Sequence, residues 1–186
     1  MSHDVSPPLP RRSFLRTLLG LGAALLGCSS SDPVAADAAA AGADAVVKLD
    51  CPHEAWKKAL RPAQYEVLFE EDTERPFSSP LDKEKLTGTY VCAACALPLF
   101  ESKAKFNSGT GWPSFFAPIA GHIGSSRDFK LIYPRTEYHC ARCGGHQGHV
   151  FDDGPPPTGK RYCNNGVALE FVAEGQALPA LRGCPA

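Results

Sequence analysis

Cysteine is the residue type with which this sequence could do the most chemistry. The 186-residue chain has eight Cys against one Met, and this density indicates disulfides, metal ligands, redox chemistry or a mixture of them. Cys92 and Cys95 form one C-x-x-C pair, and Cys140 and Cys143 form another. Two such pairs predict two knuckles that present four thiolates to one tetrahedral Zn²⁺. Two disulfides are the alternative in an oxidising compartment, but a C-x-x-C ring is strained and easily reduced, so the spacing favours zinc.

A second group of candidate residues follows the second Cys pair. His146 and His149 lie within residues 145–154, without the adjacent Glu of an H-E-x-x-H hydrolytic metal site. On a strand these two side chains would point to opposite faces, whereas on a turn they could converge on one pocket with Cys163. The alternative for either His is a structural role. Arg161 close to Cys163 gives an electropositive setting, which predicts a lowered thiol pKa.

Short helices and strands must position these groups. Between Pro52 and Glu71 apolar residues recur at spacings of three and four, and Pro62 stands where a second helix could begin. From Tyr90 onward β-branched and aromatic runs alternate with Gly and Pro, and these runs cover residues 90–91, 129–133, 149–151 and 167–172. The pattern predicts an antiparallel, mainly β domain that follows two short helices.

The N-terminus has the composition of a targeting signal. Arg11 and Arg12 precede an unbroken apolar stretch over residues 17–27, which is too short to span a bilayer and is typical of a twin-arginine signal peptide. A basic amphipathic helix on a membrane surface is the alternative. The stretch ends in L-L-G-C, which resembles a lipobox whose Cys28 becomes lipidated. We therefore expect export by the twin-arginine route to the periplasm or cell envelope, with a lipid anchor on the membrane.

Composition bounds the partners and the number of domains. A formal net charge of -1 at pH 7, from 19 Lys+Arg against 20 Asp+Glu, leaves no positive excess for a phosphate backbone, so no nucleic-acid partner is expected. No run of about 18 apolar residues is present that would span a bilayer. We predict a signal peptide over 1–27, an Ala-rich tether over 28–50, one folded domain over 51–174 and a C-terminal tail over 175–186.

Several strings across the predicted domain match one known family. They are T-E-R-P-F (73–77), Y-V-C-A-A-C (90–95), P-L-F (98–100), K-F-N-S-G-T-G-W-P-S-F (105–115), G-H-V-F-D-D-G-P (148–155), P-T-G-K-R-Y-C (157–163) and Asn165. From about Trp56 to Val172 the chain resembles the methionine-R-sulfoxide reductase B family. The resemblance implies two antiparallel sheets with short N-terminal helices, a structural zinc on the two Cys pairs, and reduction of methionine R-sulfoxide to methionine.

The resemblance also implies roles for individual residues. Cys163 corresponds to the catalytic thiol, which attacks the sulfoxide and becomes a sulfenic acid. The residues implied to bind the substrate, or to polarise and protonate its oxygen, are Trp112, His146, His149, Phe151, Arg161 and Asn165. Among them Trp112 looks like the platform for the substrate methyl group, with Phe151 nearby, and Asn165 supports the histidines. Because the thiol must be regenerated, a thioredoxin-like protein or a small thiol is the implied reductant.

The sequence departs from the family where the oxidised thiol is usually resolved. Many members have Cys at the position of Thr110, and Gly166 replaces a Ser that is common after the motif Asn. With four Cys assigned to zinc, one to catalysis and one to a lipid anchor, Cys51 and Cys184 remain. Either could resolve the oxidised Cys163, or the two could pair with each other as an inert disulfide. Direct reduction by an external thiol is the third alternative.

The leading interpretation is an exported, membrane-tethered enzyme that repairs oxidised methionine in envelope proteins. A zinc-bound β module that binds a partner through an aromatic pocket is an alternative from another class. The joint presence of the thiol, Arg161, both His and Asn165 argues against it. A disulfide-stapled secreted binding domain is a third interpretation, and metal content together with a free-thiol count separates it from the others.

Overall fold

The computed structural model describes residues 45–129 and 134–186, and within these ranges the protein is mainly β, as predicted. Two helices, α1 (His53–Trp56) and α2 (Pro62–Glu70), precede the strands. The strands are β1 (Gly88–Cys92), β2 (Pro98–Glu101), β3 (Lys105–Phe106), β4 (Ser114–Phe115), β5 (Ile123–Asp128), β6 (Arg135–Cys140), β7 (His146–Phe151), β8 (Arg161–Asn164) and β9 (Leu169–Ala173). The twin-arginine motif, the apolar signal core and Cys28 lie outside the described residues. No helix within the described ranges is long and apolar enough to cross a membrane.

The strands form two antiparallel sheets, which confirms the predicted fold class. A three-stranded sheet has the order β2-β1-β9, and a six-stranded sheet has the order β3-β4-β8-β7-β6-β5. The predicted strand over 129–133 is not found at Phe129, which follows β5, and residues 130–133 lie outside the described ranges. The strands of this region are β5 and β6 on either side. The sequence of β5 gives no apolar signal because its central residues are exposed at the edge of the sheet.

The helices begin where the sequence predicts and cover one end of the core. Pro62 opens α2, and the N–H of Arg61 donates to Oε1 of Gln64 at 3.2 Å, which helps to cap the helix. The aromatic ring of Phe69 stacks on Trp56 with 5.6 Å between ring centroids. Most of α2 is buried, so packing rather than propensity holds this short helix in place.

The six-stranded sheet has one aromatic face and one polar face. Tyr138, Phe115 and Asn164 point into the core, where Phe115 stacks on Phe100 at 4.2 Å and the Tyr138 hydroxyl donates to Asn164 Oδ1 at 2.7 Å. Because side chains alternate along a strand, Cys163, the neighbour of Asn164, points to the opposite face. That second face carries most of the residues discussed below.

Candidate active site and metal centre

A β-bulge brings the two candidate histidines to the same face of the sheet. His149 pairs with Glu137 across β6, and His146 pairs with His139, so β7 uses one more residue than β6 between these pairs. The extra residue is Gln147. Without a bulge, residues three apart on a strand point to opposite faces, but one inserted residue restores the same side. The rings of His146 and His149 therefore meet edge to face, with 5.4 Å between centroids.

Cys163 lies between these histidines and a set of hydroxyl groups. It occupies β8 directly opposite His149 on β7 and directly opposite Ser114 on β4. The hydroxyls of Thr110 and Ser114 each lie 2.8 Å from the hydroxyl of Ser108, and the Thr110 side chain is near enough to lower the pKa of the Cys163 thiol. The residue that stands where many family members have a Cys is thus a neighbour of the predicted nucleophile.

The electrostatic environment of Cys163 differs from the expectation. Burial raises the pKa of its thiol, and this effect outweighs the Arg161 guanidinium and the Thr110 hydroxyl, both of which lower the pKa. The predicted influence of Arg161 has the expected sign, but the half-buried position of the thiol reverses the net result. The thiol is therefore mostly protonated at neutral pH in the substrate-free site.

Glu137 organises His146 on the polar face. Its carboxylate accepts hydrogen bonds from Nδ1 of His146 at 2.9 Å, Nδ1 of His139 at 3.2 Å and the Ser126 hydroxyl at 2.6 Å. Burial raises the pKa of Glu137, but these hydrogen bonds outweigh it and hold the pKa well below its ordinary value. Because a carboxylate only accepts, His146 carries a proton on Nδ1. Its buried Nε2 has no hydrogen-bond partner among the described residues.

His149 is held by a second carboxylate. Its Nε2 lies 2.7 Å from Oδ2 of Asp128, and the same oxygen accepts a hydrogen bond from Arg135 at 2.6 Å. Burial lowers the pKa of His149, and the charge of Arg135 lowers it further against the opposing effect of Asp128. His149 is consequently neutral at pH 7, with its proton directed to Asp128.

Arg161 is fixed beside Cys163 by a bidentate contact. Its Nε and Nη2 donate to the two carboxylate oxygens of Asp153 at 2.8 and 2.9 Å. The guanidinium also stacks over the ring of Phe151, 4.3 Å from the centroid. A cavity of about 380 Å³ lies against this arrangement, with Thr110, Asp153 and Arg161 in its wall.

Trp112 and Asn165 meet at a residue that the sequence analysis did not single out. Nε1 of Trp112 donates to the carbonyl oxygen of Glu74 at 3.1 Å, and Oδ1 of Asn165 accepts from the N–H of Glu74 at 3.1 Å. Asn165 also donates through Nδ2 to the carbonyl of Gln147 at 3.1 Å. Asn165 therefore contacts the backbone of the bulge next to His146, and its role as a support for the histidines stays a prediction.

The four predicted metal ligands converge in one buried cluster. The sulfur atoms of Cys92, Cys95, Cys140 and Cys143 all lie within 4.8 Å of one another. The sulfurs of Cys92 and Cys143 are 3.7 Å apart, and those of Cys95 and Cys140 are 3.5 Å apart. Tetrahedral Zn²⁺ with Zn–S bonds of about 2.3 Å requires S···S distances of about 3.8 Å. This buried four-thiol set therefore fits a metal ion.

The two knuckles have matching backbone geometry. In the first, the N–H of Ala96 donates to the carbonyl of Cys92, and in the second the N–H of Gly144 donates to the carbonyl of Cys140, both at 2.9 Å. Contacts with neighbouring thiols, that of Cys140 first, and then burial raise the pKa of Cys92. Four thiolates at this spacing need a cation to coexist.

Gln147 connects the four-cysteine cluster to β8, the strand that contains Cys163. Its Nε2 lies 3.6 Å from the sulfur of Cys92, and its Oε1 accepts from Nδ2 of Asn164 at 3.2 Å. Gln147 is fully buried. The bulge that aligns the histidines thus also places an amide between the two cysteine centres.

Cys51 and Cys184 are joined to each other in a disulfide. Of the alternatives that the sequence leaves open, the structure displays the pairing of these two residues. The two segments that the disulfide links cover the knuckles: the N–H of Leu49 donates to the carbonyl of Arg142 at 2.7 Å, and Arg182 donates through its backbone N–H to the carbonyl of Cys95 at 3.0 Å. Part of the predicted tether and of the predicted tail therefore packs on the domain.

Glu74, Asp128, Glu137 and Gln147 are the site residues that sequence reasoning missed. Each is a single polar residue without a motif spacing to a partner. Their roles depend on contacts across strands or between distant segments, such as the 91 residues that separate Glu74 from Asn165. The resemblance did contain one signal, because Glu74 lies within the matching string at 73–77.

Comparison with known proteins defines the class to which this fold and site belong. The SelR domain matches residues 60–173. A peptide methionine sulfoxide reductase MsrB of Bradyrhizobium diazoefficiens is 52% identical over 129 residues, 69% of this chain and 91% of that protein. The MsrB of Methanosarcina barkeri is 53% identical over 122 residues, 65% of this chain and 86% of its own length. The chloroplastic B1 enzyme of Arabidopsis thaliana is 44% identical over 156 residues, 83% and 76% of the two chains.

These similarities extend over the knuckles and the polar face of the sheet. The chain is a SelR-domain protein, and it belongs to the methionine-R-sulfoxide reductase B family.

Proposed function

We propose that this chain repairs oxidised methionine residues of envelope proteins, with Cys163 as the nucleophile. As a member of its family it is a peptide-methionine (R)-S-oxide reductase, an oxidoreductase that acts on sulfur. The observation that supports the assignment of Cys163 is its position on β8, directly opposite His149 and near the side chains of Thr110 and Arg161, which lower its thiol pKa. Among the described residues, Cys163 is the one thiol that lies outside both the disulfide and the metal cluster.

The proposed reaction transfers oxygen from the substrate to the enzyme thiol. The Cys163 thiolate attacks the sulfoxide sulfur, and the S–O bond of the substrate breaks as oxygen passes to Cys163 with uptake of one proton. Methionine leaves and Cys163 becomes a sulfenic acid, so the substrate sulfur gains two electrons and the enzyme sulfur loses two. Because the thiol pKa is raised, substrate binding must favour the thiolate or assist its deprotonation.

We propose that the sulfoxide oxygen of the substrate binds beside His146 and His149. The Nε2 atom of His146 is buried without a partner among the described residues, which is rare for a buried polar atom and supports a role in ligand binding. The Glu137 carboxylate fixes the orientation of the ring through Nδ1, and Nε2, when it also carries a proton, donates a hydrogen bond to the sulfoxide oxygen. His149 packs edge to face against His146, and Trp112 and Phe151 supply aromatic surfaces for the methyl group.

Turnover with each epimer of a methionine sulfoxide peptide tests this function. We expect reduction of the R epimer only, and we expect Cys163→Ser to abolish it while circular dichroism stays unchanged, because a hydroxyl is a far poorer nucleophile. Ser108→Ala, which alters the nearby hydroxyl set but leaves the thiol, is expected to keep measurable activity. Equal use of the S epimer, or full activity of Cys163→Ser, contradicts the proposal.

The proposed reductant is an external thiol, either a thioredoxin-like protein or a small molecule. Cys51 and Cys184 occupy a disulfide, and Thr110 stands beside Cys163, so no free thiol other than the metal-cluster cysteines accompanies Cys163 within the described residues. One external thiol condenses with the sulfenic acid to give a mixed disulfide and water, and a second thiol then releases Cys163.

Mass spectrometry after one equivalent of substrate tests the identity of the resolving thiol. A persistent sulfenic acid, trapped with dimedone, is expected in the wild type, and Cys51→Ser and Cys184→Ser are expected to keep the wild-type steady-state rate with an external thiol. A Cys163 crosslink to Cys51 or Cys184 rejects the external route.

We assign Zn²⁺ to the four-cysteine cluster as a structural ion. Cys92, Cys95, Cys140 and Cys143 would fill a tetrahedral shell and leave no open position for substrate. When bound, the ion would join the two knuckles and contribute its binding energy to folding. Elemental analysis should find one zinc per chain, and Cys92→Ser or Cys143→Ser should unfold or strongly destabilise the domain. Metal-free protein of full thermal stability argues against this assignment.

The proposal of envelope repair rests on the N-terminal sequence. Arg11 and Arg12 before the apolar stretch support twin-arginine export, which carries folded proteins and lets the cysteines bind metal before they meet an oxidising compartment. Replacement of both Arg by Lys should retain the protein in the cytoplasm. Metabolic labelling with a lipid precursor should label the wild type and not Cys28→Ser; an unlabelled wild type rules out the lipid anchor.

A further inference from the structure

Glu74 joins three separate parts of the site. Its carboxylate accepts hydrogen bonds from the backbone N–H groups of Gly166 at 2.6 Å and Val167 at 3.0 Å. Its own N–H donates to Oδ1 of Asn165 at 3.1 Å, and its carbonyl accepts from Nε1 of Trp112 at 3.1 Å. One residue therefore ties the segment after α2 to the turn of Trp112 and to the segment that follows β8.

The surroundings of Glu74 are those of an anchor rather than of a surface carboxylate. All side chains from residue 71 to residue 78 are exposed except that of Glu74, which is partly buried. Burial raises the pKa of its carboxyl, although the two backbone N–H groups lower it. A carboxylate that gives up hydration and receives two N–H donors makes short, charge-assisted hydrogen bonds.

Gly166, which departs from the family pattern, lies against the side chains of Ser79 and Glu74. At Gly166 a Cβ would lie 2.0 Å from Oγ of Ser79 and 3.3 Å from Oε1 of Glu74. The Ser79 hydroxyl thus fills the space that a side chain at position 166 would need. Glycine at this position leaves room for the Ser79 side chain beside the Glu74 carboxylate.

We propose that Glu74 is a positioning residue that holds Trp112 in place as the platform for the substrate methyl group. The inference rests on the proposed function. The carboxylate fixes the segment through Gly166 and Val167, and the carbonyl of the same residue restrains the Trp112 indole. Loss of the carboxylate releases the segment, and with it the hydrogen bond that orients the ring. Cys163 and His146 are held by other contacts, those of β4, β7 and Glu137.

The predicted consequence is a change in KM rather than in kcat. Glu74→Ala should raise KM for a methionine R-sulfoxide peptide by about fivefold, the scale of a methyl–aromatic contact, and should change kcat by less than about twofold. Glu74→Gln keeps one acceptor oxygen and should lie between the wild type and Glu74→Ala. Tryptophan NMR gives an independent readout, because the chain has only two Trp. With 5-fluorotryptophan incorporated, Glu74→Ala should shift and broaden the ¹⁹F resonance that Trp112→Phe removes, and should leave that of Trp56 in place.

Glu84→Ala is the matched control. The Glu84 carboxylate also accepts two backbone N–H groups, those of Lys85 and Leu86, both at 2.8 Å, but it makes no hydrogen bond to Trp112 in the described structure. This variant should keep the wild-type KM and the wild-type ¹⁹F spectrum. A KM change of the same size in Glu84→Ala would overturn the inference, because it would indicate general loosening.

The other possible results also test the inference that Glu74 positions Trp112. An unchanged Trp112 resonance and an unchanged KM in folded Glu74→Ala overturn the inference. If Glu74→Ala does not fold, the same two readouts on Glu74→Gln decide in the same way. A wild type that reduces no sulfoxide would contradict the proposed function, whereas the ¹⁹F comparison needs no turnover and still tests the anchor.

Discussion

At the scale of single residues, the thiol of Cys163 is placed for access to its neighbours rather than for full ionisation. Burial raises its pKa, and the Arg161 guanidinium and the Thr110 hydroxyl counter this only in part. The thiolate fraction therefore grows as pH rises through a value above the ordinary thiol pKa. Asp153 holds Arg161 in register through two hydrogen bonds, so the charge that lowers the thiol pKa is fixed in position.

Removal of the Arg161 charge should raise the thiol pKa further. We expect Arg161→Gln to slow alkylation of Cys163 by iodoacetamide about tenfold at pH 7, since loss of a nearby opposite charge shifts a pKa by about one unit or more. A series of rates between pH 6 and pH 10 measures the shift, with peptide mapping to identify the alkylated residue. Arg75→Gln, at an exposed position, serves as the control. An alkylation rate equal to or above the wild-type rate contradicts this electrostatic account.

At the scale of elements, the bulge in β7 explains why part of the site could not be predicted from the sequence. The C-x-x-C pairs predict their cluster because each knuckle is a local structure, and Pro62 predicts the start of α2 for the same reason. The common face of His146 and His149 depends on how β7 aligns with β6, which no local pattern records. The same holds for Glu137 and Asp128, whose contacts with His146 and His149 join different strands. Likewise, β5 could not be predicted from apolar residues, because it lies at the edge of the sheet and its central residues are exposed.

The bulge also makes Gly148 sensitive to any side chain. A Cβ at this position would lie 1.9 Å from the carbonyl oxygen of Cys163, so Gly148→Ala must push β7 and β8 apart. We expect a loss of about 3 kcal/mol in the free energy of unfolding, as for other forced overpacking, together with loss of reductase activity. Urea unfolding measures the first effect. Gly183→Ala, where a Cβ would meet no atom within 4 Å, should match the wild type, and a fully stable Gly148→Ala would refute the backbone contact.

At the scale of the whole molecule, both ends of the described domain cross the metal cluster. We name the two segments, residues 47–51 and 182–184, the strap. Arg142, within the second knuckle, donates to the carbonyl of Val47 at 3.1 Å, and Arg182 donates through Nη1 to the carbonyl of Ala93 in the first knuckle at 2.7 Å. The SelR domain match covers residues 60–173, so the strap lies outside the matched domain. Its disulfide closes a loop with a sequence separation of 133 residues.

The strap should stabilise the domain and slow the loss of the zinc ion that we propose for the four-cysteine cluster. Opening the disulfide by Cys51→Ser is expected to lower the free energy of unfolding by about 2 to 4 kcal/mol, because the unfolded chain is no longer cross-linked. It should also speed zinc removal by a chromogenic chelator, since the segments that cover the knuckles come free.

Cys184→Ser should give the same changes, and the double variant should add nothing further because either substitution already breaks the bond. Dithiothreitol, which reduces the disulfide to two thiols and is itself oxidised to a cyclic disulfide, should bring the wild type to the same release rate. Equal zinc release from the wild type and both single variants would show that the strap does not protect the metal centre.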